Sequence, residues 1–493
     1  MAHYVVGIDR GTTQIKAALI DERGCITKVV CLPSPPNIAE TPGYFEQDMD
    51  AIFNETAKAV RRLFDDTHRP EEVLAVGIAG QGNGIFLLDR QNRPLMNAIM
   101  PIDERAAEIA RAAKASGLAA ALRESNGFGL PACCPLALLR WLKEQHREIY
   151  DSIGTVLFCK DWLRYRLTGC LGTDKTDPSG AGLFDLAKGE YGEELFQQLD
   201  IAEMFTALPP AHESSEIAGY VTKEAAALTG LTEGTPVVYG AHDIAAGSLG
   251  TGGLQEGDVT LVAGTMGVCL GVLDKPRMVG AYGTTLNGIV AGKWLTHYST
   301  RSFGPTLQWF IELLCTRELE LAKTDGRSVF AHIEETIGSR GPTDVLVRPY
   351  LFGSMTASYR GEILNLAPDH RREDVLLGVY QGLAYSFAEA LQWYVQELSC
   401  KRAYLCGGGA NSRLFGQLLA DASGIPICAS AEKEETCRGA GLCAWLGLDR
   451  EQGLRIAGQV NTKQVWQPNP EYYDAHQRNM QQIIAINQRV WRK

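Results

Sequence analysis

Two stretches of the chain combine a short apolar run with a glycine–threonine turn, a pattern that can bind phosphate. In the first, GIDRGTT (7–13), the turn residues Gly11, Thr12 and Thr13 offer backbone N–H groups and hydroxyls to phosphate oxygens. Asp9 precedes this turn and could hold Mg²⁺, directly or through water. The alternative is a plain hairpin turn in which threonine is favoured by its strand propensity.

The second stretch, VTLVAGTMGVCLGVL (259–273), repeats the order of apolar strand, Gly-Thr turn and apolar strand found in VVGIDRGTTQIKAALI (5–20). The repeat predicts two similarly built halves with a boundary near residue 250 and a cleft between them. If the two turns face each other across that cleft, Gly264 and Thr265 lie opposite the first turn. Together the turns would hold one phosphate chain.

Asp243 lies between an apolar strand at 237–240 and a segment of small residues at 244–253 that could form a helix. Ligands bind at the carboxyl ends of strands in α/β sheets, which makes this carboxylate a candidate for chemistry. Aspartate is also a good helix N-cap, and that role alone would explain the residue. The two roles are compatible, and the sequence leaves both open.

Three glycines, 407–409, separate a predicted strand at 403–406 from a predicted helix at 411–423. Because they carry no side chains, a flat ligand can approach their backbone, and the start of the helix favours anions. The alternative is a tight turn between strand and helix.

A further polar group consists of Gln81, Gly82 and Asn83, with Asp103 and Arg105 close behind in the sequence. Amides both donate and accept hydrogen bonds, and a carboxylate accepts them, so this set suits the hydroxyls of a polyol. The alternative is loop capping together with a surface ion pair.

An α/β fold must position these residues. Residues 4–9, 15–21 and 25–32 predict an antiparallel meander at the start of the chain. The spacing of apolar residues over 48–67 predicts a helix with Asp48 as its N-cap. Further strands are predicted at 73–79, 85–89, 345–351 and 425–430, and further helices at 136–150, 374–398 and 436–446.

Composition excludes several classes of protein. The 493 residues carry 47 Lys and Arg against 58 Asp and Glu, a net charge of −11, so a basic nucleic-acid footprint is absent. No apolar run approaches the roughly 18 residues of a membrane span, and the N-terminus does not resemble a signal peptide. The 13 scattered cysteines include no CxxC pair, which indicates reduced thiols in a cytoplasmic protein. The nine dispersed histidines are interpreted as surface or packing residues.

These motifs, in this order, resemble those of the FGGY carbohydrate kinases, members of the actin, hexokinase and heat-shock ATPase superfamily. The likeness extends over nearly the whole chain. GIDRGTT with Lys16 is similar to the family's first phosphate motif, and GTMG (264–267) is similar to the second. The segment 208–252 is similar to the family's central block, and 407–426 is similar to its adenosine motif.

The resemblance implies an α/β fold of two actin/hexokinase-like (ribonuclease H-like) domains, each a mixed sheet flanked by helices, with an interdomain cleft. The expected boundaries are 1–250 for a sugar-binding domain and 251–493 for a nucleotide-binding domain. ATP and Mg²⁺ are the implied cofactors, with Asp243 as the general base and Asp9 as the metal ligand. Nucleotide contacts are expected at Gly11, Thr12, Thr13, Gly264, Thr265, Gly304, Gln308, Gly408, Gly409 and Ser412. Sugar contacts are expected in the first half, at Gln81, Gly82, Asn83, Asp103, Arg105 and Asp243.

The implied reaction is ATP-dependent phosphorylation of a primary hydroxyl of a small ketose. The segment GQGNG (80–84) differs from the GQMHG of D-xylulokinases and is closer to L-xylulokinases and erythritol kinases. Relative to GQMHG, Gly82 would remove a bulky wall and Asn83 would replace an imidazole. A pentulose such as L-xylulose is therefore favoured, with D-xylulose, erythritol or another polyol as alternatives. A second departure is Gly353-Ser354-Met355, where the family often has Gly-Glu-Arg.

A rival from another class is a heat-shock-type ATPase or a sugar sensor on the same fold, which would need neither a general base nor sugar contacts. A non-catalytic scaffold is a second rival. Asp9, Asp243 and the segment 81–83 argue against both. The expected partners are ATP and a small sugar or polyol, with no nucleic acid and no membrane, and a homodimer remains open.

Overall fold

The computed structural model describes residues 3–280, 283–300, 303–351 and 360–491. The segment Gly353-Ser354-Met355 lies outside these residues. All 13 cysteines are free thiols. Among the helices described, none is long and apolar enough to cross a membrane.

The strands and helices of the first half begin with the three strands of the predicted meander. The strands are Tyr4–Arg10 (β1), Gln14–Asp21 (β2), Ile26–Pro33 (β3), Glu46–Gln47 (β4), Val73–Gly80 (β5), Phe86–Asp89 (β6), Ala98–Ile99 (β7), Ile153–Leu157 (β8), Thr173–Asp174 (β9), Phe184–Asp185 (β10), Glu190–Tyr191 (β11), Ala211–His212 (β12), Ile217–Tyr220 (β13), Pro236–Val238 (β14) and Ala241–His242 (β15). The helices are Met49–Arg61 (α1), Ala107–Ser116 (α2), Leu118–Asn126 (α3), Pro135–Gln145 (α4), Arg147–Ser152 (α5), Cys159–Thr168 (α6), Thr176–Gly180 (α7), Glu193–Gln198 (α8), Lys223–Thr229 (α9) and Asp243–Gly250 (α10), with 3₁₀ turns at Pro70–Glu72 and Ala202–Ala207.

The second half opens with another hairpin. Its strands are Val259–Ala263 (β16), Gly267–Leu273 (β17), Thr284–Asn287 (β18), Trp294–Thr300 (β19), Leu346–Arg348 (β20), Glu362–Leu364 (β21), Ala403–Cys406 (β22), Ile427–Ser430 (β23) and Thr462–Trp466 (β24). Its helices are Gly304–Leu314 (α11), Thr316–Asp325 (α12), Val329–Ile337 (α13), Arg372–Leu398 (α14), Arg413–Ser423 (α15), Glu435–Leu448 (α16), Arg450–Ala457 (α17) and Pro470–Trp491 (α18), with a 3₁₀ turn at Gly408–Asn411.

Two mixed sheets with matching strand order form the centre of the molecule. The first runs β13-β14-β5-β1-β2-β3, and the second runs β18-β19-β17-β16-β22-β23-β24. In each sheet an antiparallel meander (β1-β2-β3 or β16-β17-β19) is continued by two parallel strands (β5 and β14, or β22 and β23). An antiparallel strand, β13 or β24, then completes each sheet. The repeat of two similarly built halves predicted from residues 5–20 and 259–273 is therefore confirmed at the level of topology.

Helix α16 belongs to the second half by sequence, but it packs against the first sheet. Its Gly439 crosses α10 so closely that a methyl group there would lie 1.8 Å from the carbonyl oxygen of Ala246. Apolar residues of α10, α16, β1 and β2 share one buried cluster, which includes Val5, Ile20 and Leu442. The crossing of α10 and α16 thus joins the two halves through a common core.

Two predicted helices have different limits from those expected. The helix predicted over 48–67 begins as expected, with the Asp48 carboxylate accepting the Ala51 N–H at 2.6 Å, but it ends at Arg61. The helix predicted over 136–150 is divided at His146, whose backbone (φ −139°, ψ 59°) is not helical. In both cases apolar periodicity continues past a backbone break that periodicity cannot reveal.

Candidate active site

A cavity of about 800 Å³ in the second half gathers the nucleotide contacts expected from that half. It lies between the turn after β16, the start of α11, the start of α13 and the 3₁₀ turn before α15. Its lining contains all seven of these expected residues, namely Gly264, Thr265, Gly304, Gln308, Gly408, Gly409 and Ser412. Phe303, Phe330 and Phe415 give it an apolar wall. Its size falls within the usual range of small-molecule sites.

The second glycine–threonine turn is fixed to the start of α11. The N–H of Gly264 donates to the carbonyl oxygen of Met266 at 3.1 Å, which closes the turn. The N–H groups of Phe303 and Gly304 donate to the carbonyl oxygens of Thr265 and Gly264 at 2.9 and 3.0 Å. The turn and the helix therefore move as one unit.

A carboxylate from α13 accepts hydrogen bonds from residues at the start of α15. The Ser412 hydroxyl accepts the N–H of Phe415 at 3.2 Å and donates to Glu334 at 3.0 Å, and Glu334 also accepts the N–H of Leu414 at 3.1 Å. Ser412 is thus the N-cap of the helix as well as part of the cavity wall. Gly408 is exposed, so a ligand in the larger cavity can contact its backbone.

A smaller cavity of about 280 Å³ lies between the two halves. From the first half it is lined by Thr12, Gln81, Gly82, Asn83, Pro101, Ile102, Phe128, Gly180, His242, Asp243 and Ile244, and from the second half by Met266, Val268, Thr284, Thr285, Leu286, His297 and Ser299. The sequence placed sugar contacts in the first half, whereas this cavity is formed by both halves. The pairing of β18 with β19 brings Thr284 and His297 to the cleft, and this pairing could not be predicted from the sequence.

The second turn borders both cavities. Thr265 lines the larger cavity, and the next residue, Met266, lines the smaller one. Thr12, from the first turn, also lines the smaller cavity, and its hydroxyl donates to the amide oxygen of Gln81 at 2.8 Å. Gly11 and Thr13 line neither cavity; the Gly11 N–H closes the turn by donating to the Gln14 carbonyl at 3.0 Å.

Strand register brings the acidic residues of the first half to one edge of the sheet. β1 and β15 both pair in parallel with β5, with Asp9 opposite Ala79 and His242 opposite Gly80. All three strands therefore end at the same edge, where Asp9, Gln81 and Asp243 follow one another from strand to strand. This is the edge at which open α/β sheets bind ligands.

Asp243 begins α10 and faces the smaller cavity. Its Oδ1 accepts the N–H of Ile244 at 2.7 Å and lies 2.8 Å from Nδ1 of His242. Among the described residues, none donates a hydrogen bond to Oδ2. The side chain is about one-third exposed (32%), so Oδ2 is open to a ligand.

The surroundings of Asp9 fit a divalent cation. Burial, and then the negative charge of Asp243, raise the pKa of Asp9 to about 7, against the opposing effect of Lys16. Nζ of Lys16 also forms a salt bridge with Oε2 of Glu434, at 2.6 Å. Asp9 thus lies near the negative charges of Asp243 and Glu434, and of the two cations that act on it, Lys16 is already paired with Glu434. No cluster of three possible metal ligands occurs within the described residues, so water and phosphate oxygens would complete the coordination of Mg²⁺.

Asp103 and Arg105, which were expected to contact the sugar, are not among the residues that line the smaller cavity. Nε of Arg105 donates to Asp103 at 2.8 Å, Nη2 donates to Glu46 at 2.9 Å, and the guanidinium lies 4.5 Å from the centre of the Tyr44 ring. Both residues are buried, because each satisfies the other's charge. They support the segment whose residues Pro101 and Ile102 form the cavity wall.

Asn83 carries an acceptor without a partner. Its Oδ1 is buried and receives no hydrogen bond from any described residue, and its backbone has φ 59°, in the left-handed region that asparagine tolerates. A buried polar atom left unpaired in a native structure is a position at which a ligand hydroxyl can complete the hydrogen bonding.

Two histidines that sequence reasoning treated as packing or surface residues line the smaller cavity. His242 fills the space beside Gly82, where a methyl group would lie 1.9 Å from its Nε2. Nδ1 of His297 is 3.1 Å from the Thr284 hydroxyl, and burial lowers the pKa of His297 to about 4. Gly82 therefore does not leave an open wall, and an imidazole is present near Asn83. In the sequence, only the position of His242 directly before Asp243 could have indicated that this histidine lies in the site.

Comparisons with known proteins agree with this geometry. The family model described as "FGGY family of carbohydrate kinases, N-terminal domain" matches residues 4–250, and the model for the C-terminal domain of that family matches residues 259–448. A probable L-xylulose kinase of Pasteurella multocida is 31% identical, covering 98% of this chain and 98% of its own. An L-xylulose/3-keto-L-gulonate kinase of Escherichia coli is 33% identical, covering 91% of this chain and 89% of its own.

A solved structure shows the same fold. The xylulose kinase of Rhodospirillum rubrum superposes with a TM-score of 0.88 over 100% of both chains, at 23% sequence identity. The expected arrangement of two mixed sheets flanked by helices, with a cleft between them, is confirmed.

Proposed function

The chain belongs to the FGGY family of carbohydrate kinases, and on that premise we propose that it transfers the γ-phosphoryl group of ATP to a primary hydroxyl of a five-carbon ketose, with L-xylulose preferred. The observation that carries the proposal is that one turn, at residues 265 and 266, borders both cavities, and that Asp243 lines the smaller one. Nucleotide binds in the larger cavity and sugar in the smaller. In this assignment residues 1–250 form the sugar-binding domain and residues 251–493 the nucleotide-binding domain, with strands of the second closing the sugar cavity.

Asp243 supplies the general base. Its Oδ1 is occupied by Ile244 N–H and His242, so Oδ2 accepts the proton as the sugar oxygen bonds to the γ-phosphorus and ADP leaves. The proton then passes to solvent when the cleft opens. Phosphoryl transfer depends mainly on positioning and charge stabilisation, which makes a sparse set of residues sufficient.

Asp9, through Mg²⁺, and the two turns, through hydrogen-bond donors, would stabilise the negative charge of the phosphate chain. When bound, Mg²⁺ would neutralise the phosphate oxygens, and Asp9 is the residue placed to hold it. Thr12 and the Gly264–Thr265 turn supply hydroxyl and backbone donors. Closure of the cleft excludes water, which would otherwise hydrolyse ATP.

The lining of the smaller cavity supports a neutral sugar. Asn83, His242 and His297 can donate or accept hydrogen bonds to hydroxyls, and the lining residues of the described chain include no lysine or arginine. The relatives named as L-xylulose kinases support the L configuration. D-Xylulose, erythritol and other polyols are the competing substrates. A protein that consumes ATP and carries only free thiols suits the cytoplasm, which is the location we propose.

A substrate screen tests the proposal. Ketopentoses, tetritols and ketohexoses are offered at fixed ATP and Mg²⁺, and both ADP and sugar phosphate are quantified. We expect one sugar phosphate for each ADP, with the highest turnover on a ketopentose. ATP hydrolysis without sugar phosphate, whichever sugar is added, would favour the heat-shock-type ATPase or sugar sensor instead.

A further inference from the structure

His242 is held in place by a buried ionic cluster below the cavity. Its backbone N–H donates to the Thr176 hydroxyl at 2.8 Å, and that hydroxyl donates to Asp174 at 2.6 Å. Asp174 in turn lies 2.9 Å from Lys160, and both side chains are fully buried. The main chain at His242 is therefore anchored to a rigid part of the first half.

The side chain of His242 holds the catalytic carboxylate. Nδ1 lies 2.8 Å from Oδ1 of Asp243 and 3.3 Å from the backbone nitrogen of Ile244. A carboxylate only accepts hydrogen bonds, so the shorter contact requires the proton on Nδ1. The Ile244 N–H then bonds to Oδ1 rather than to the ring. With two donors on Oδ1, the carboxylate has one orientation, and Oδ2 faces the sugar.

The other edge of the His242 ring occupies the volume that a side chain at position 82 would need. A methyl group on Gly82 would lie 1.9, 2.3 and 2.6 Å from three atoms of the ring. Gly180, on the facing helix α7, comes close to the same ring, since a methyl group there would lie 3.0 Å from Cδ2. Two glycines thus form a slot for one imidazole in the wall of the sugar cavity.

We propose that His242 is a positioning and specificity residue of the sugar site, which orients Asp243 through Nδ1 and shapes the sugar cavity with the ring edge that Gly82 admits. The proposal rests on the sugar-kinase function proposed above and adds a residue to it. It does not depend on which sugar is preferred.

Two substitutions separate the two roles. In His242→Asn the amide nitrogen falls near the position of Nδ1, so the bond to Asp243 is kept while the ring edge is lost. In His242→Gln the amide reaches the position of Nε2, so the cavity wall is kept while the bond to Asp243 is lost. His146→Asn, at an exposed histidine, is the matched control.

Steady-state kinetics use the sugar that the wild-type protein phosphorylates best. For His242→Gln we expect kcat to fall about 10- to 100-fold, the usual effect of losing a hydrogen bond to a charged group, with the KM for ATP unchanged. For His242→Asn we expect kcat within about threefold of wild type, a roughly tenfold higher KM for the sugar and weaker discrimination between xylulose epimers. Equal effects of the two variants on kcat and on both KM values would overturn the proposal. Absence of sugar phosphate with the wild-type protein would instead overturn the proposed function.

A reciprocal pair keeps the proposal testable if one variant folds poorly. Gly82→Ala places a methyl group against the ring, so we expect the KM for the sugar to rise about tenfold or more. Adding His242→Ala removes the whole ring and with it the clash, so the double variant should return to within about threefold of His242→Ala alone. Effects that simply multiply, with no recovery, would show that the ring does not occupy this slot.

Discussion

Oδ1 of Asp243 contacts the N–H of Ile244 and Nδ1 of His242, whereas Oδ2 receives no hydrogen bond from the described residues. Oδ1 therefore has a structural role, and Oδ2 is available as a base. We predict that Asp243→Asn retains ATP binding but loses about 10²- to 10⁴-fold in kcat, the usual contribution of a positioned general base. Turnover and calorimetric ATP binding are measured together. Asp48→Asn is the control, because Asp48 also accepts a backbone N–H at the start of a helix, that of Ala51 at 2.6 Å, but lines neither cavity. A catalytic loss no larger than that of the control would leave Asp243 only a structural role at the start of α10.

His476 gives a pH dependence of stability with a definite sign. It is fully buried on α18 beside the Tyr385 hydroxyl, at 2.8 Å, and burial lowers the pKa of His476 to about 4. Its unfolded pKa is about 6.5, so the unfolded chain binds more protons between these values, and stability falls as the pH drops from about 6.5 towards 4. One such group contributes about 1.4 kcal/mol per pH unit in that window.

We predict that His476→Gln weakens the loss of stability on acidification. Thermal midpoints of the wild type and the variant, measured at pH 7, 6 and 5, should converge as the pH falls. His146→Gln, at an exposed position, should leave the wild-type slope unchanged. Parallel curves for wild type and His476→Gln would contradict the assignment of a neutral buried imidazole.

At the scale of single residues, the sequence predicted groups that act through their own type and position. Asp9, Asp243 and the glycines at 264, 408 and 409 could be predicted in this way. The place of His242 in the cavity wall could not be predicted, because its contact with Gly82 joins residues 160 positions apart and depends on side-chain packing. The contacts of Arg105 with Glu46 and Tyr44 could not be predicted, because they depend on the fold rather than on the local sequence.

Among the elements, the crossing of α10 and α16 is the most constrained contact. We predict that Gly439→Ala lowers the free energy of unfolding by about 3 kcal/mol, because the methyl group meets the backbone oxygen of Ala246 at 1.8 Å and neither helix can shift cheaply. Urea denaturation measures the difference.

Gly247→Ala is the matched control on the same crossing. A methyl group at Gly247 would lie 3.6 Å from the Thr436 hydroxyl, an ordinary contact, and alanine favours helix by up to about 1 kcal/mol. We expect it to be neutral or stabilising. If both variants have the same stability, the close packing of these helices is not a constraint.

The two glycine–threonine turns give a prediction about a bound nucleotide. We expect a crystal structure with a non-hydrolysable ATP analogue to place the hydroxyls of Thr12 and Thr265 within about 3 Å of oxygens of one phosphate chain. The turns border the two cavities, and closure of the cleft would bring them together. If phosphates contact one turn while the other faces solvent, the two-sided clamp is wrong.

Across the whole molecule, the sequence predicted the repeat of two halves but not how they join. Local patterns at residues 5–20 and 259–273 determine each hairpin, and the matching sheets follow from them. The passage of α16 onto the first sheet and the closure of the sugar cavity by β18 and β19 are long-range contacts, which no local pattern encodes. Because both halves line the smaller cavity, we propose that sugar binding there favours closure of the cleft.

We propose that the smaller cavity, between the two halves, distinguishes the configuration of the ketopentose that is phosphorylated by ATP. The direct test is the pair of specificity constants, kcat/KM, for L-xylulose and D-xylulose under the same ATP and Mg²⁺. A mismatched epimer leaves buried polar groups unpaired at about 1–3 kcal/mol each, so we predict a preference of at least about tenfold for L-xylulose. A clear preference for D-xylulose would contradict the proposed structure of the sugar site, and failure to phosphorylate either epimer would contradict the proposed ketopentose kinase activity.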